Sequence, residues 1–406
     1  MTSSRPPYPS APLDPALSDK LRFWSLMAML LLVYVHGFNL HPRYLEPMTL
    51  VTEPASWDHV VQYLFANGLL RFRIPILFAI SGYLLAYRDD GATAHGTRVW
   101  KRVRTLGIPY LAWSAIALLF IFVLEQWSPT RELVRAAELS PFGSDAPFVS
   151  GYSLEQLRIR WLIMPAAFQL WFLRTLLVLT ALYPLIRTAV TRWPRTVFTL
   201  AGLLFLMLEG EGILFFTFGV WLAARRIDIQ TRPTWFATLP MFGLWVLLCG
   251  IKTWMAFAFD QLNTPIAITM LLLHRAGEVV GLLAAWYGAD GLVRVAMSRP
   301  WFRWVTAFSF SIYAMHVPLV NFATEWALRA GAALPKIELL TYLVVPLAVS
   351  AFAVLCGATL RRASRPLYSL LTGGRGLAWS GTEVRRPGTA RAIPATGVER
   401  ARTNER

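Results

Sequence analysis

Charged residues are scarce in this chain of 406 residues: only 15% are Asp, Glu, Lys or Arg, whereas 56% are hydrophobic. Soluble domains carry roughly 25% charged residues, so the scarcity argues against a set of soluble domains. Backbone polar groups that have no water beside them must be satisfied inside helices. The sequence therefore predicts an all-α fold, a polytopic bundle of transmembrane helices.

Cysteine is almost absent, and the two that occur, Cys249 and Cys356, lie in apolar stretches. Two isolated cysteines provide neither a disulfide framework nor the ligands of a metal site, so we interpret both as small apolar packing residues. The sequence also lacks a Gly-rich phosphate loop and a His/Cys ligand cluster. We therefore expect no bound metal and no bound cofactor.

The N-terminal segment lacks the basic start and apolar core of a signal peptide. Residues 1–20 are rich in Pro, Ser and Ala, and residues 363–406 are rich in Arg, Gly and Thr, compositions typical of disorder. The predicted organisation is a disordered Pro-rich tail at 1–20, a membrane domain at 21–362 and a basic disordered tail at 363–406. Both tails are expected in the cytoplasm.

Apolar runs divide the membrane domain into about ten predicted spans, several of them near the roughly 20 residues that cross the hydrocarbon core. The fifth and sixth runs are short and close together, which indicates a tight helical hairpin. No internal repeat is visible. The runs cover residues 23–40, 69–88, 106–124, 167–187, 196–209, 212–224, 234–256, 276–297, 304–327 and 337–360.

Positive charge is distributed unequally between the two sets of connections. With the N-terminus inside, the cytoplasmic connections and the C-terminal tail hold most of the 39 Lys and Arg residues, as the positive-inside rule requires. The outer loops hold fewer, including Lys252 and Arg275. The net charge of +16 is then mainly a topology signal. Nucleic-acid binding is the weaker interpretation, since the charge is spread over many loops.

Ionisable side chains inside the spans are the strongest functional signal, because charge at membrane depth is costly. His36 lies past the middle of the first run, His316 lies near the middle of the ninth, Arg73 opens the second and Arg174 lies in the fourth. An inter-helix hydrogen bond explains a single intramembrane His equally well. Four such residues in separate spans favour one shared polar cavity.

Imidazole and guanidinium groups in one cavity suit acyl transfer to an alcohol. A His can take a proton from a hydroxyl and return it later, while an Arg can hold a phosphate or stabilise a developing oxyanion. No acidic pair at catalytic spacing is visible inside the predicted spans. That absence disfavours glycoside hydrolysis.

Five sequence blocks, in order, resemble the acyltransferase 3 family of integral membrane O-acyltransferases, which modify glycans at the bacterial cell surface. Each block alone is weak because apolar stretches match by chance, but five in the right order form a strong signal. The blocks are LRFWSLMAMLLLVYVH (21–36), FRIPILFAISGYLL (72–85), KRVRTLGIPYLAW (101–113), LWFLRTLLVLTALYPLI (170–186) and FSIYAMHVPL (310–319).

The resemblance implies catalytic roles for His36, as base or transient acyl carrier, and for His316. Ser25 stands where the family usually has a basic residue on the first helix, and the nearest base is Arg22, one helical turn earlier. Substrate or acyl-donor binding is implied for Arg22, Arg73, Ser81, Trp171, Arg174 and Tyr313.

The resemblance also implies a multi-pass protein of the bacterial inner membrane with acyl-CoA, in the simplest case acetyl-CoA, as co-substrate. The acceptor would be a hydroxyl of a glycan or lipid-linked sugar. Four basic residues are expected to bind the phosphates of the donor, namely Arg22, Lys101, Arg102 and Arg104. The positive-inside rule explains these residues equally well.

Two other classes of function remain open from the sequence. A transporter or flippase of an anionic or glycan substrate also uses intramembrane His and Arg, although its usual mark is two related halves with broken helices. A structural membrane scaffold predicts that His36 and His316 can be replaced without loss.

Overall fold

In the computed structural model the regular secondary structure of the described residues is all helical, with no β-strand among them. This confirms the all-α prediction. Residues 1–12 of the predicted N-terminal tail and 378–406 of the predicted C-terminal tail lie outside the described part. The residues described are 13–89, 95–137, 139–140, 146–208 and 210–377.

The helices are numbered α1 to α18 in chain order over the described residues. The first nine are α1 (Pro15–His36), α2 (Trp57–Leu64), α3 (Arg73–Tyr87), α4 (His95–Arg102), α5 (Ile108–Glu125), α6 (Ser128–Ala136), α7 (Leu154–Leu162), α8 (Trp171–Ala181) and α9 (Tyr183–Arg192). The others are α10 (Pro194–Met207), α11 (Glu211–Ala224), α12 (Thr238–Ala258), α13 (Thr264–Gly288), α14 (Asp290–Ser298), α15 (Pro300–Thr306), α16 (Ser309–Ala330), α17 (Ile337–Ala363) and α18 (Arg365–Thr372).

Several of these helices are long and apolar enough to cross a membrane. By length and composition the described chain offers five such stretches, or seven if two bent pairs each form one span. The bends are 65° between α8 and α9 and 63° between α15 and α16. The chain is therefore a multi-pass membrane protein. The count of about ten spans and the cytoplasmic side of the termini remain predictions.

Both predicted tails are shorter than their composition indicates. α1 begins at Pro15, because the Asp14 side chain accepts the Leu17 N–H and proline suits the first helical turn. α18 lies inside the segment predicted to be disordered, and Ser364 caps its first turn in the same way. Local capping and tertiary contacts order these segments, so disorder at 15–20 and 365–372 was a wrong prediction.

The eighth predicted span begins too late in the sequence. α13 starts at Thr264, whereas the apolar run starts at 276, because Arg275 interrupts the run without interrupting the helix. Lys252 and Arg275 were assigned to outer loops, and the structure instead buries them inside α12 and α13 with 1% and 3% exposure. Ion pairs and hydrogen bonds compensate their burial.

Helix α16 lies at the centre of the site region, in contact with α1 and α17, while α3 packs against α1 and α11. The backbones of α3 and α11 approach very closely. A Cβ on Gly82 would lie 2.1 Å from the Phe216 carbonyl oxygen, and one on Gly219 would lie 2.1 Å from that of Ala79. Small residues permit such contact between membrane helices, and it holds α3 firmly beside the site.

Candidate active site

The structure brings the two predicted histidines together. His36 is the last residue of α1 and His316 lies within α16. Their imidazole rings stack with centroids 5.4 Å apart and an interplanar angle of 23°. The expected proximity of the two side chains is thus confirmed, whereas their catalytic roles stay predictions.

Helix α16 breaks directly after His316. Val317 has extended backbone angles, φ −105° and ψ 131°, and Pro318 has no N–H to give to the carbonyl of Ala314. The side-chain amide of Gln169 donates instead to the carbonyls of Tyr313, Ala314 and Val317, each at 3.3 Å. The Tyr313 hydroxyl donates back to the Gln169 carbonyl at 2.7 Å. Gln169, which the sequence did not single out, therefore holds the break in place.

The break also orients the His316 ring. Its Nδ1 lies 2.8 Å from the Tyr313 carbonyl oxygen and 3.1 Å from that of Ile312. A carbonyl only accepts, so Nδ1 carries the proton and Nε2 keeps its lone pair. His316 is fully buried, and Nε2 has no hydrogen-bond partner among the described residues. Nε2 is thereby available to accept a proton.

The His36 ring faces a small polar chamber of about 20 Å³. Phe168 contacts the ring edge-on at 4.7 Å between centroids, and within the described chain no hydrogen bond to the imidazole is formed. The chamber is closed by the ion pair between Arg43 and Glu325, 2.5 Å long. It is lined by His36, Phe38, Arg43, Tyr44, Ala137, Phe168, Asn321, Thr324 and Glu325.

A second, larger space lies nearer the N-terminal ends of α1 and α16, and neither histidine lines it. This basic cavity has a volume of about 410 Å³, carries arginines at its mouth and is apolar further in. Tyr313 lines its depth, and the Tyr313 ring lies 6.3 Å from that of His316. No acidic side chain of the described chain lines it. The basic residues are Arg22, Arg88, Arg102 and Arg375.

Three more of the predicted residues lie at this site. Arg73 is the first residue of α3 and is buried. It donates to the Leu70 carbonyl at 3.0 Å, and its charge acts on both histidines. Ser81 lines the basic cavity, where its hydroxyl donates to the Leu77 carbonyl at 2.7 Å. Arg22 stands at the mouth of the same cavity. The predicted shared site thus includes Arg73 beside the histidines.

Two other predicted residues, both on α8, do not lie at the site. Arg174 is exposed and its guanidinium donates to the Ile163 carbonyl, while the half-exposed Trp171 ring packs against Phe78. Helical periodicity explains the difference, because positions three apart share one face. That face points outward, and α8 turns Phe172, Leu173 and Leu176 toward the basic cavity.

Of the basic residues expected at the donor phosphates, Lys101 and Arg104 lie outside the cavity. Both are exposed, and the Arg104 guanidinium lies over the Trp100 ring at 5.2 Å from its centroid. Arg102, one position from Lys101, lines the cavity. The helical turn therefore separates members of one basic run into a cavity residue and surface residues.

A buried ionic network beside the site was missed by the sequence interpretation. Arg275 of α13 pairs with Glu211 at 2.5 Å and with Glu278 at 3.1 Å. The charges of both glutamates act on Arg71 and Arg73. The two glutamates surround a guanidinium, and neither of them lines the polar chamber or the basic cavity.

The network continues through two more buried polar residues. The Lys252 ammonium donates to the Asn67 carbonyl at 2.6 Å and lies 2.7 Å from His274 Nδ1. The other ring nitrogen of His274 lies 3.4 Å from Glu278. The rule that singled out His36, namely an ionisable group inside a span, applies to Lys252, which lies within the predicted run 234–256. It would also have found His274 had α13 been given its full length.

Comparison with known proteins gives two matches. The family model described as an acyltransferase domain matches residues 26–362. The succinoglycan biosynthesis protein ExoH of Rhizobium meliloti (strain 1021) is 24% identical over 319 residues, which cover 76% of this chain and 80% of that protein. No solved structure matches the chain.

Proposed function

The chain belongs to the acyltransferase-domain family, and from this premise we propose that it moves an acyl group from acyl-CoA to a hydroxyl of a cell-surface or periplasmic glycan. The observation that carries the proposal is the stacking of His36 on His316. Along α16, residues that line the basic cavity precede His316 and residues that line the polar chamber follow it. The name of ExoH connects that relative with succinoglycan biosynthesis, which supports a polysaccharide acceptor. The proposed location is the inner membrane of a bacterium.

The basic cavity suits the donor. Its arginines can bind phosphates in a fixed fork geometry, and its apolar depth suits the pantetheine arm and the acyl chain. The volume of about 410 Å³ falls within the roughly 300–1,000 Å³ of ligand pockets. Tyr313 and Ser81 lie along the route from the phosphates to the histidines. Acetyl-CoA is the smallest donor that fits this arrangement, and succinyl-CoA is the larger alternative.

The polar chamber suits the acceptor hydroxyl. Thr324 Oγ1 and Asn321 Oδ1 have no hydrogen-bond partner among the described residues, so both can bind a hydroxyl-rich ligand. The chamber is too small for a sugar while the Arg43–Glu325 ion pair is closed. Acceptor entry therefore requires these two side chains to separate.

The proposed acyl transfer uses only the acceptor, the donor and side chains of the site. His36 takes the proton of the acceptor hydroxyl, and the oxygen forms an ester bond to the thioester carbonyl carbon. The C–S bond breaks, and the proton passes from the imidazole to the CoA thiolate. Arg73 stabilises the negative charge that develops on the carbonyl oxygen. His316 stacks on His36 and offers its Nε2 as a second proton acceptor at the site.

The test is CoA release from acetyl-CoA by the purified full-length protein in the presence of de-O-acylated glycan. His36→Ala is expected to lower the rate by about 10²–10⁴-fold, the usual cost of losing a general base. The matched control is His59→Ala, because His59 lies on α2 outside both cavities and its Nδ1 donates to the Pro54 carbonyl. Near-normal transfer by His36→Ala protein would contradict the proposal.

A transporter or flippase is the second candidate, favoured by the discontinuity of α16 at Val317. Broken helices at a polar site are typical of transporters. Reconstituted vesicles separate the two functions. Movement of glycan across the bilayer without consumption of acyl-CoA would favour the transporter, whereas acyl transfer that leaves glycan on one side would favour the enzyme.

A further inference from the structure

A C-terminal strap, residues 364–377, contributes Arg375 to the lining of the basic cavity. Trp113 of α5 donates its indole N–H to the Leu371 carbonyl at 2.9 Å. The Tyr368 hydroxyl donates to the Ala307 carbonyl at 3.4 Å, on the turn between α15 and α16. The strap is therefore hydrogen-bonded both to α5 and to the turn between α15 and α16.

Two glycines give the strap its shape. Gly373 has φ +62°, and a Cβ there would lie 2.1 Å from the Thr105 carbonyl oxygen. Gly376 has φ +79°, and a Cβ there would lie 2.2 Å from the Ala307 carbonyl oxygen. Only glycine combines a left-handed backbone with such close approach. The turn thus packs against the Thr105 and Ala307 carbonyls, with Arg375 between the two glycines.

Arg375 points its charge into the basic cavity. One guanidinium nitrogen, Nη1, donates to the Thr105 carbonyl at 2.9 Å and to the Thr372 carbonyl at 2.8 Å. The guanidinium lies 4.8 Å from the centroid of the Phe310 ring. Across the described residues it has no acidic partner. Burial, together with the charge of Arg102, lowers the pKa of Arg375 to about 10.

Arg375 is half-buried, and a cation withdrawn from water is unfavourable unless a counter-ion or a ligand compensates it. Arg22, Arg88 and Arg102 line the same cavity, so four guanidinium groups surround a space that no carboxylate of the described residues lines. Backbone carbonyls accept hydrogen bonds from the Arg375 guanidinium, so its orientation is set before any ligand binds. The ligand expected in the basic cavity is therefore a molecule that carries an anionic group with several oxygens. The rest of that molecule would lie along the apolar part of the cavity.

We propose that the strap is a donor-binding element in which Arg375, with Arg102 and Arg22, binds a phosphate of acyl-CoA and directs the thioester toward His316. This inference rests on the proposed acyl-CoA-dependent function. It adds a ligand-binding role for a segment that lies outside the matched region 26–362. An anionic phospholipid headgroup shares the phosphate chemistry, and the experiment separates the two sources.

The experiment measures binding of CoA and of 3′-dephospho-CoA to the purified full-length protein by titration calorimetry. Arg375→Gln is expected to raise the Kd for CoA by about tenfold or more, since a charge-assisted hydrogen bond contributes roughly 1.5–3 kcal/mol. The control is Arg365→Gln, on the same strap but outside the basic cavity. A loss for CoA alone assigns Arg375 to the 3′-phosphate, and an equal loss for both ligands assigns it to the diphosphate.

A second variant tests the strap without removing the guanidinium. Gly373→Ala strains the turn through its positive φ and the Thr105 contact, so it is expected to weaken CoA binding while the thermal midpoint of the membrane domain stays near that of the wild type. If Arg375→Gln leaves the Kd for CoA unchanged in a protein that binds CoA, the strap inference is wrong and the proposed function stands.

Two other outcomes are equally decisive. If the variant changes only the amount of co-purified phosphatidylglycerol, measured by mass spectrometry, the site binds lipid and the inference is overturned. If the wild-type protein neither binds CoA nor cleaves acetyl-CoA, the proposed donor itself is wrong, and the strap inference falls with it.

Discussion

The imidazole of His316 lies stacked on that of His36, with ring centroids 5.4 Å apart, and only one of the two rings has its proton placed by the backbone. The Tyr313 and Ile312 carbonyls hold the proton of His316 on Nδ1. His36 has no such partner within the described chain. The pair thus combines a ring of defined tautomer with one that is free to exchange its proton.

His316→Asn tests which nitrogen of His316 matters. The Asn amide can replace the Nδ1 donor to the Tyr313 carbonyl, but it offers nothing at the position of Nε2. We expect a folded protein with a transfer rate at least about 10²-fold lower, if Nε2 takes part in proton transfer. CoA release and the thermal midpoint are the measurements. A rate near wild type in a stable His316→Asn protein would reduce His316 to an orienting residue.

Arg73→Lys tests the guanidinium fork beside the histidines. Lysine keeps the charge but loses the planar, bidentate geometry, so we expect kcat to fall by about 10²-fold, the order measured for loss of one oxyanion donor. The control is Arg174→Lys, which changes an exposed guanidinium on the outer face of α8. Equal rates for the wild type and Arg73→Lys, at equal expression, would leave Arg73 as a membrane-interface anchor only.

Gln169→Leu tests the support of the α16 break. Leucine fills a similar volume but leaves the carbonyls of Tyr313, Ala314 and Val317 without their side-chain donor. Unsatisfied buried groups cost about 1–3 kcal/mol each, so we expect a lower thermal midpoint and reduced transfer. Gln126→Leu is the control, since Gln126 is exposed at the end of α5. An unchanged midpoint would show that the break does not depend on this amide.

Arg275→Met tests the buried ionic network. The change leaves Glu211 and Glu278 without their common partner, and breaking a buried pair typically costs about 3–5 kcal/mol. We expect a marked fall in stability, measured by thermal unfolding in detergent. Adding Glu211→Gln and Glu278→Gln to Arg275→Met removes the uncompensated charges and is expected to restore much of it. A triple variant no more stable than Arg275→Met alone would contradict this account.

The orientation of the bundle has its own test. Leu13, Arg22 and Arg375 line one cavity, so both described ends of the chain lie at the same end of the bundle. The positive-inside rule assigns that end to the cytoplasm. Green fluorescent protein fused after Arg406 should fluoresce, and alkaline phosphatase at the same point should be inactive. Phosphatase activity in that fusion would reverse the orientation.

Much of the site could be predicted from single positions. His36, His316 and Arg73 stand out because an ionisable residue inside an apolar run is rare and costly, and the structure brings all three together. Arg174 satisfied the same criterion but points outward. A run of apolar residues shows that a helix is present, but it does not show which face the helix turns to its neighbours.

The amino-acid sequence by itself determined the helical membrane class, the pair of candidate histidines and the excess of positive charge, since these follow from composition and from the cost of charge in lipid. Tertiary structure alone decided that Gln169 supports the break in α16 and that Arg275 sits between two glutamates. It also decided that Arg375 returns from the C-terminal strap to the basic cavity. Each of these depends on partners distant along the chain, and only the packed bundle brings them within hydrogen-bond reach.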